Sequence, residues 1–278
     1  MDPVEAAIAT LGVRGVELRV REWGAGPGVL CLHETATGCG VWEPLALALD
    51  RRASTIAPDR RGWGGSSEPE PYGRTTVAEQ AEDAAALLEA LGGAPAVLCG
   101  SGIGAVAALD LHLRRPDLSA AAVLIEPPLL AFVPDATEAL CADRVLLGGL
   151  VREGGPAAGV EAYLAGGLPA LGPGADRLPA ALAAPARARP LSVFAELGAV
   201  PDWALPLTVM ATLDRPSRIV VGASSPPFLR AAASGLAGRL AGSRLHEVSG
   251  GGPPHVEGAT ELAALIEKLL ELVRPGWC

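Results

Sequence analysis

The chain reads as an α/β protein: a mostly parallel, twisted sheet with helices on both faces and an inserted helical segment. Three observations carry this reading. Short apolar runs alternate with amphipathic helical stretches between residues 29 and 128, the pattern of a sheet covered on both sides. The alternation lapses over 129–213 and resumes near 218. Between Ala96 and Leu109 an apolar run passes through a glycine-rich turn straight into an Ala-rich helix.

Each element has its own signal. Val16, Leu18 and Val20 alternate with Glu17, Arg19 and Arg21, which predicts a half-buried strand. Gly24–Gly28 is a turn, and Val29–Leu32 is a buried strand ending in His33-Glu34-Thr35. A helix is expected over Val41–Leu49 and a strand over Ala53–Ala57, which ends in Pro58-Asp59-Arg60-Arg61-Gly62. Thr76-Val77-Ala78-Glu79 is a capping box. The apolar stripe Val77, Ala81, Ala84, Leu88, Leu91 then predicts a helix ending at Gly92-Gly93. Next come a strand over 96–99, a tight turn, a helix to about Leu113 and a strand over Ala120–Ile125 ending at Glu126. Helical patches at 137–150 and 157–165 are succeeded by Gly/Pro segments such as Gly166-Gly167-Leu168-Pro169. The last elements are a strand at Arg218–Val221, a helix over 227–241, a strand over 244–248 and a helix over Thr260–Val273. The expected division is a core of 1–128 and 214–278 with a helical lid of 129–213.

Composition narrows the function. The 278 residues are 50% hydrophobic, enough for a sizeable core, and 22 Lys plus Arg against 31 Asp plus Glu leave a net charge of −9. An acidic chain without basic runs argues against nucleic acid as a partner. Five cysteines, Cys31, Cys39, Cys99, Cys141 and Cys278, form no C-x-x-C pattern, so neither a disulfide scaffold nor a zinc ribbon is expected. His33-Glu34 does not begin H-E-x-x-H, because Thr37 stands where histidine is needed, and no metal is expected. Gly100-x-Gly102-x-Gly104 continues with Ala105 and lacks the strict dinucleotide fingerprint, so no cofactor is assigned. Leu91–Leu109 is uncharged and nominally long enough to span a bilayer, but its turn signal and internal glycines favour strand, turn and helix. The N-terminus has an acid where a signal peptide needs basic residues, and a cytoplasmic protein without membrane contact is expected.

Five stretches, in order, carry a resemblance. They are "LHETATGCGVW" (32–42), "APDRRGWGGS" (57–66), "GSGIG" (100–104), "RIVVGASS" (218–225) and "GGGPPHVEGATELAALI" (250–266). Together they resemble the α/β-hydrolase superfamily, which implies an α/β-hydrolase fold with a helical lid. In that family a serine at the elbow attacks, a histidine takes its proton and an acid orients the histidine. The resemblance maps the nucleophile to Gly102, the acid to Ser225 or Ser224, and the histidine to Gly252 or Pro253. All three functional groups are then missing. Removing the serine or histidine from such a triad costs roughly 10⁶ in kcat. The backbone N–H groups of Thr35 and Ile103, around Gly102, remain as oxyanion donors, and a hole of that kind needs no nucleophile to work.

The candidate catalytic groups are therefore Ser101, His255, Glu126 and Glu34. Ser101 is next to the empty position, where packing or a hydrogen bond is the simpler role. His255 lies in the histidine loop as a base, or as a second, noncatalytic histidine. Glu126 ends the strand after the elbow strand, where some family members hold their acid, or it caps a turn. Glu34 stands where the family usually has glycine, as an acid/base or a salt-bridge partner. His33, Trp42, Tyr163 and Trp203 are the expected pocket residues. The first expectation is a non-hydrolytic enzyme of this fold: a lyase, cyclisation or carbon–carbon bond-forming step on a hydrophobic small molecule, of the sort found in natural-product biosynthesis. A rewired hydrolase using Ser101 or activated water is one alternative, and a catalytically silent small-molecule binder the other. The expected partner is the substrate itself, and a homodimer is left open.

Overall fold

The computed structural model of the chain describes residues 5–273. Eight strands form one sheet: β1 (Ala7–Val13), β2 (Val16–Gly24), β3 (Gly28–Leu32), β4 (Ser54–Pro58), β5 (Ala96–Ser101), β6 (Ser119–Ile125), β7 (Ser217–Gly222) and β8 (Ser243–Val248). Their order is β1-β2-β4-β3-β5-β6-β7-β8. The β1–β2 and β2–β4 pairs are antiparallel, and every later pair is parallel. β3 and β5 are buried along their whole length, which explains why they read as unbroken apolar runs. The sequence reading missed β1, an edge strand whose residues are mostly exposed and show no alternation.

The helices are α1 (Glu43–Leu49), α2 (Val77–Leu91), α3 (Ile103–Arg114), α4 (Ala136–Leu164), α5 (Ala184–Ala188), α6 (Pro190–Leu197), α7 (Leu207–Thr212), α8 (Pro227–Ala237), α9 (Pro254–Glu257) and α10 (Ala259–Val273). α1 and α10 pack their apolar residues with one face of the sheet, and α2, α3 and α8 with the other. α2 begins where the capping box requires: Thr76 Oγ accepts the Glu79 N–H at 3.1 Å, and Gly92 closes the helix in the left-handed region at φ 62°. The uncharged run 91–109 is the end of α2, then β5 and the start of α3, and no described helix is long and apolar enough to cross a membrane.

α4–α7 fill the insertion between β6 and β7 and form the lid. α4 covers both helical patches read from the sequence and breaks between them, at Gly155 (φ 72°, ψ −178°) and Pro156. A separate apolar cluster joins the lid to the core, in which Trp63 packs with Val160, Tyr163, Leu164 and Val193. Cys31, Cys39, Cys99 and Cys141 are free thiols, and Cys278 lies outside the described residues. The parallel strands end at one edge, so Glu34, Gly102, Glu126, Ser225 and His255, each placed after a different strand, gather beneath the lid.

Candidate active site

The turn between β5 and α3 holds Gly102 at φ 56° and ψ −126°, a conformation costly for any residue with a side chain. Its flanking glycines are demanded by packing. A Cβ on Gly100 would lie 2.3 Å from the Gly104 carbonyl oxygen, and one on Gly104 2.2 Å from that of Leu32. At Gly102 the obstruction is a side chain: a Cβ there would approach the Glu34 Cβ to 2.8 Å and the Glu34 Oε2 to 3.9 Å. Glu34, from the loop after β3, thus occupies the space above the elbow.

That loop is held tightly. The His33 Nε2 accepts the Arg60 N–H at 3.0 Å, so the ring proton sits on Nδ1, which donates to the Glu34 carbonyl at 2.8 Å. Thr37 Oγ donates to the same carbonyl at 3.1 Å. Burial first, and then the Arg60 charge, push the His33 pKa down to about 3, which keeps this ring neutral. His33 is fully buried and does not line the cavity, so its place among the expected pocket residues is corrected: it is a brace for Glu34.

His255, on α9, is also fully buried, and its ring lies 4.9 Å from the Trp42 ring at 43°. Its Nε2 is 3.2 Å from the Glu34 Oε1. The two atoms are close but not aligned as a hydrogen bond, and neither they nor His255 Nδ1 has another partner among the described residues. Catalytic contacts are often misaligned before substrate arrives. Trp42 backs His255 and does not line the cavity, again unlike the expectation. His255 reaches the cavity only through Glu34.

The cavity over Gly102 is bounded by Glu34, Thr35, Ile103, Glu126 and Tyr163, with lid residues closing it. Because α3 starts at Ile103, the Ile103 N–H has no acceptor within the helix and is free for a ligand. Burial, reinforced by the negative charges of Glu34 and Glu196, pushes the Tyr163 phenol well above its ordinary range, so it stays a protonated donor. Trp203 does not belong here. It lines a neighbouring groove, and its Nε1 donates to Asp110 Oδ1 at 2.9 Å.

Two expected residues play other parts. Ser101 is 1% exposed at the end of β5 and does not line the cavity. Glu126 does line it, with strained backbone at φ 47°, but its carboxylate is taken by Ser225 Oγ and by Arg177 of the lid, and it does not orient His255. Arg177 also donates to the Gly252 carbonyl at 3.3 Å, tying the lid to the loop after β8. Ser224 Oγ donates to the Gly251 carbonyl at 2.7 Å, so both serines after β7 are engaged.

Glu196, on α6, was not singled out in the sequence. It lines the cavity at 2% exposure, paired with Arg60, and accepts from Trp63 Nε1 at 2.7 Å and Thr35 Oγ at 2.7 Å. A single acid within the apolar helix "PLSVFAEL" was the available signal. Although three carboxylates border the cavity, no group of three or more potential ligands able to hold a metal ion occurs among the described residues.

Comparisons agree with this architecture. A 2-(acetamidomethylene)succinate hydrolase of Mesorhizobium japonicum is 37% identical over 156 residues, 55% of this chain and 53% of that protein. An epoxide hydrolase of Caballeronia sordidicola is 37% identical over 108 residues, 38% of this chain and 33% of that one. The chain thus matches about half or less of the length of these relatives. A thermophilic esterase from Thermogutta terrifontis superposes with a TM-score of 0.72 over 97% of this chain and 99% of that one, at 23% identity, a likeness of fold. Residues 29–265 match the model of the alpha/beta hydrolase family, and the chain belongs to that family.

Proposed function

We propose that the protein is a hydrolase whose water is activated by Glu34, in place of an elbow serine. The observation that carries this reading is the position of the Glu34 carboxylate: above Gly102, facing the cavity, with His255 3.2 Å behind it. Glycine and side chain have exchanged places between the two loops. Glu34 stands where the family has glycine, and Gly102 stands where it has serine. The assignment of the family's histidine to Gly252 or Pro253 is revised as well, since the same loop delivers the imidazole of His255.

In this reading a water bound over Gly102 gives its proton to Glu34 as its oxygen attacks an electrophilic carbon of the substrate. His255 steadies the carboxylate from behind. The Ile103 N–H, with that of Thr35, receives the developing oxyanion, and Tyr163 donates to the departing oxygen. Positioned general-base catalysis supplies roughly 10²–10⁴ and one oxyanion donor roughly 10²–10³. The hydrolases among the relatives favour this over the lyase, cyclisation or bond-forming step first expected. The buried Ser101, away from the cavity, favours water over a serine nucleophile.

A panel of epoxides, lactones, esters and enamides tests the reading, with fluorophosphonate labelling alongside. Turnover that survives Ser101→Ala, with no fluorophosphonate adduct on the folded protein, is the expected result. An adduct on Ser101, or activity lost in Ser101→Ala, would overturn it.

A further inference from the structure

Building on that hydrolytic site, we propose that the chamber over Gly102 is only its reactive end. The adjoining groove holds an alkyl or aryl chain, so the substrate is an uncharged molecule with an elongated apolar tail.

A second cavity lies beside the chamber. The chamber has about 60 Å³ of free space. The groove beside it has about 210 Å³. Leu130, Val200 and Pro201 wall both, so the two adjoin. Beyond this shared wall the groove is bordered by Leu129, Ala136, Leu140, Trp203 and Leu205. The one polar nitrogen that Trp203 offers is already donated to Asp110, so its indole presents carbon to the groove. Among the described residues Thr137, exposed at the rim, is the only other polar side chain in this lining. The side chains facing the groove are thus almost all apolar, and such a wall favours an apolar chain.

Charge sets the other half of the specificity. Glu34, Glu126 and Glu196 line the chamber, and no lysine or arginine does among the described residues. Glu126 is already paired with Arg177 and Glu196 with Arg60, so a substrate carboxylate would meet the remaining charge of Glu34, with no unpaired lysine or arginine among the described lining residues to receive it. The reactive end is therefore uncharged.

Calorimetry with N-butyl-, N-hexyl- and N-octylacetamide tests the groove without relying on turnover. Affinity should rise about two- to fourfold per methylene until the groove is full. Thr137→Trp and Ala131→Trp alter exposed rim positions and should each remove most of the octyl advantage, with unchanged thermal unfolding. An octyl chain ending in carboxylate at the amide end should bind at least tenfold more weakly. Affinity independent of chain length, or octyl binding unchanged in both tryptophan variants, would overturn the proposal. Chain-dependent binding without hydrolysis of any panel member would sink the hydrolase reading and leave the groove standing. Hydrolysis with no chain dependence would do the reverse.

Discussion

If Glu34 and Gly102 occupy one space, substitutions at the two positions must be coupled. Gly102→Ala places a Cβ on a residue at φ 56°, at a cost of about 1–3 kcal/mol for the backbone alone. The new Cβ also meets the Glu34 Cβ at 2.8 Å, closer than packed carbons tolerate, and such overpacking adds about 1–3 kcal/mol. Because the clash is with the Glu34 Cβ, Glu34→Ala leaves it in place and Glu34→Gly removes it. Urea unfolding separates the two contributions when Gly102→Ala is made alone, together with Glu34→Ala and together with Glu34→Gly. Its cost should be the same alone and with Glu34→Ala, within about 0.5 kcal/mol, and smaller by about 1–3 kcal/mol with Glu34→Gly. An equal cost in all three settings would refute the shared-space argument, and with it the idea that the carboxylate has replaced the elbow side chain.

Two further outcomes concern buried ionisable groups. Glu196→Gln leaves Arg60, 3% exposed, without its counter-charge and should cost about 3–5 kcal/mol in urea unfolding, whereas Glu196→Leu with Arg60→Met should recover most of that. Equal losses in the single and double variants would contradict this. His112 is buried between Ser119 and Ser217, and burial holds its pKa at about 4 against the usual 6.5. The unfolded chain therefore takes up a proton below pH 6.5 that the folded chain refuses. The contribution is whole above pH 6.5 and lost as pH falls towards 4, amounting to about 3 kcal/mol. His112→Gln should flatten the fall in stability over that window, and an unchanged slope would show that another group is responsible.

Much of the core was legible because its signals are local. α2 carries its cap, stripe and terminal glycine within one stretch, and β3 and β5 are apolar because both faces are covered. β1 was hidden because an exposed edge strand needs no pattern. The lid helices α5, α6 and α7 are too short to display a period. In the site, the unusual residues Glu34 and Gly102 were visible singly. Their contact was not, because it depends on β3 and β5 ending side by side. Glu126 reads as a free acid until the lid supplies Arg177, and Trp42 as a pocket wall until the fold sets it against His255.

The central claim is that Glu34 performs the chemistry, and the most direct measurement is kcat for Glu34→Gln on the best substrate of the panel. The glutamine keeps the shape above Gly102 and removes the proton acceptor. The account predicts a fall of about 10²–10⁴ in kcat with unfolding unchanged. A Glu34→Gln enzyme that turns over at the wild-type rate would contradict it.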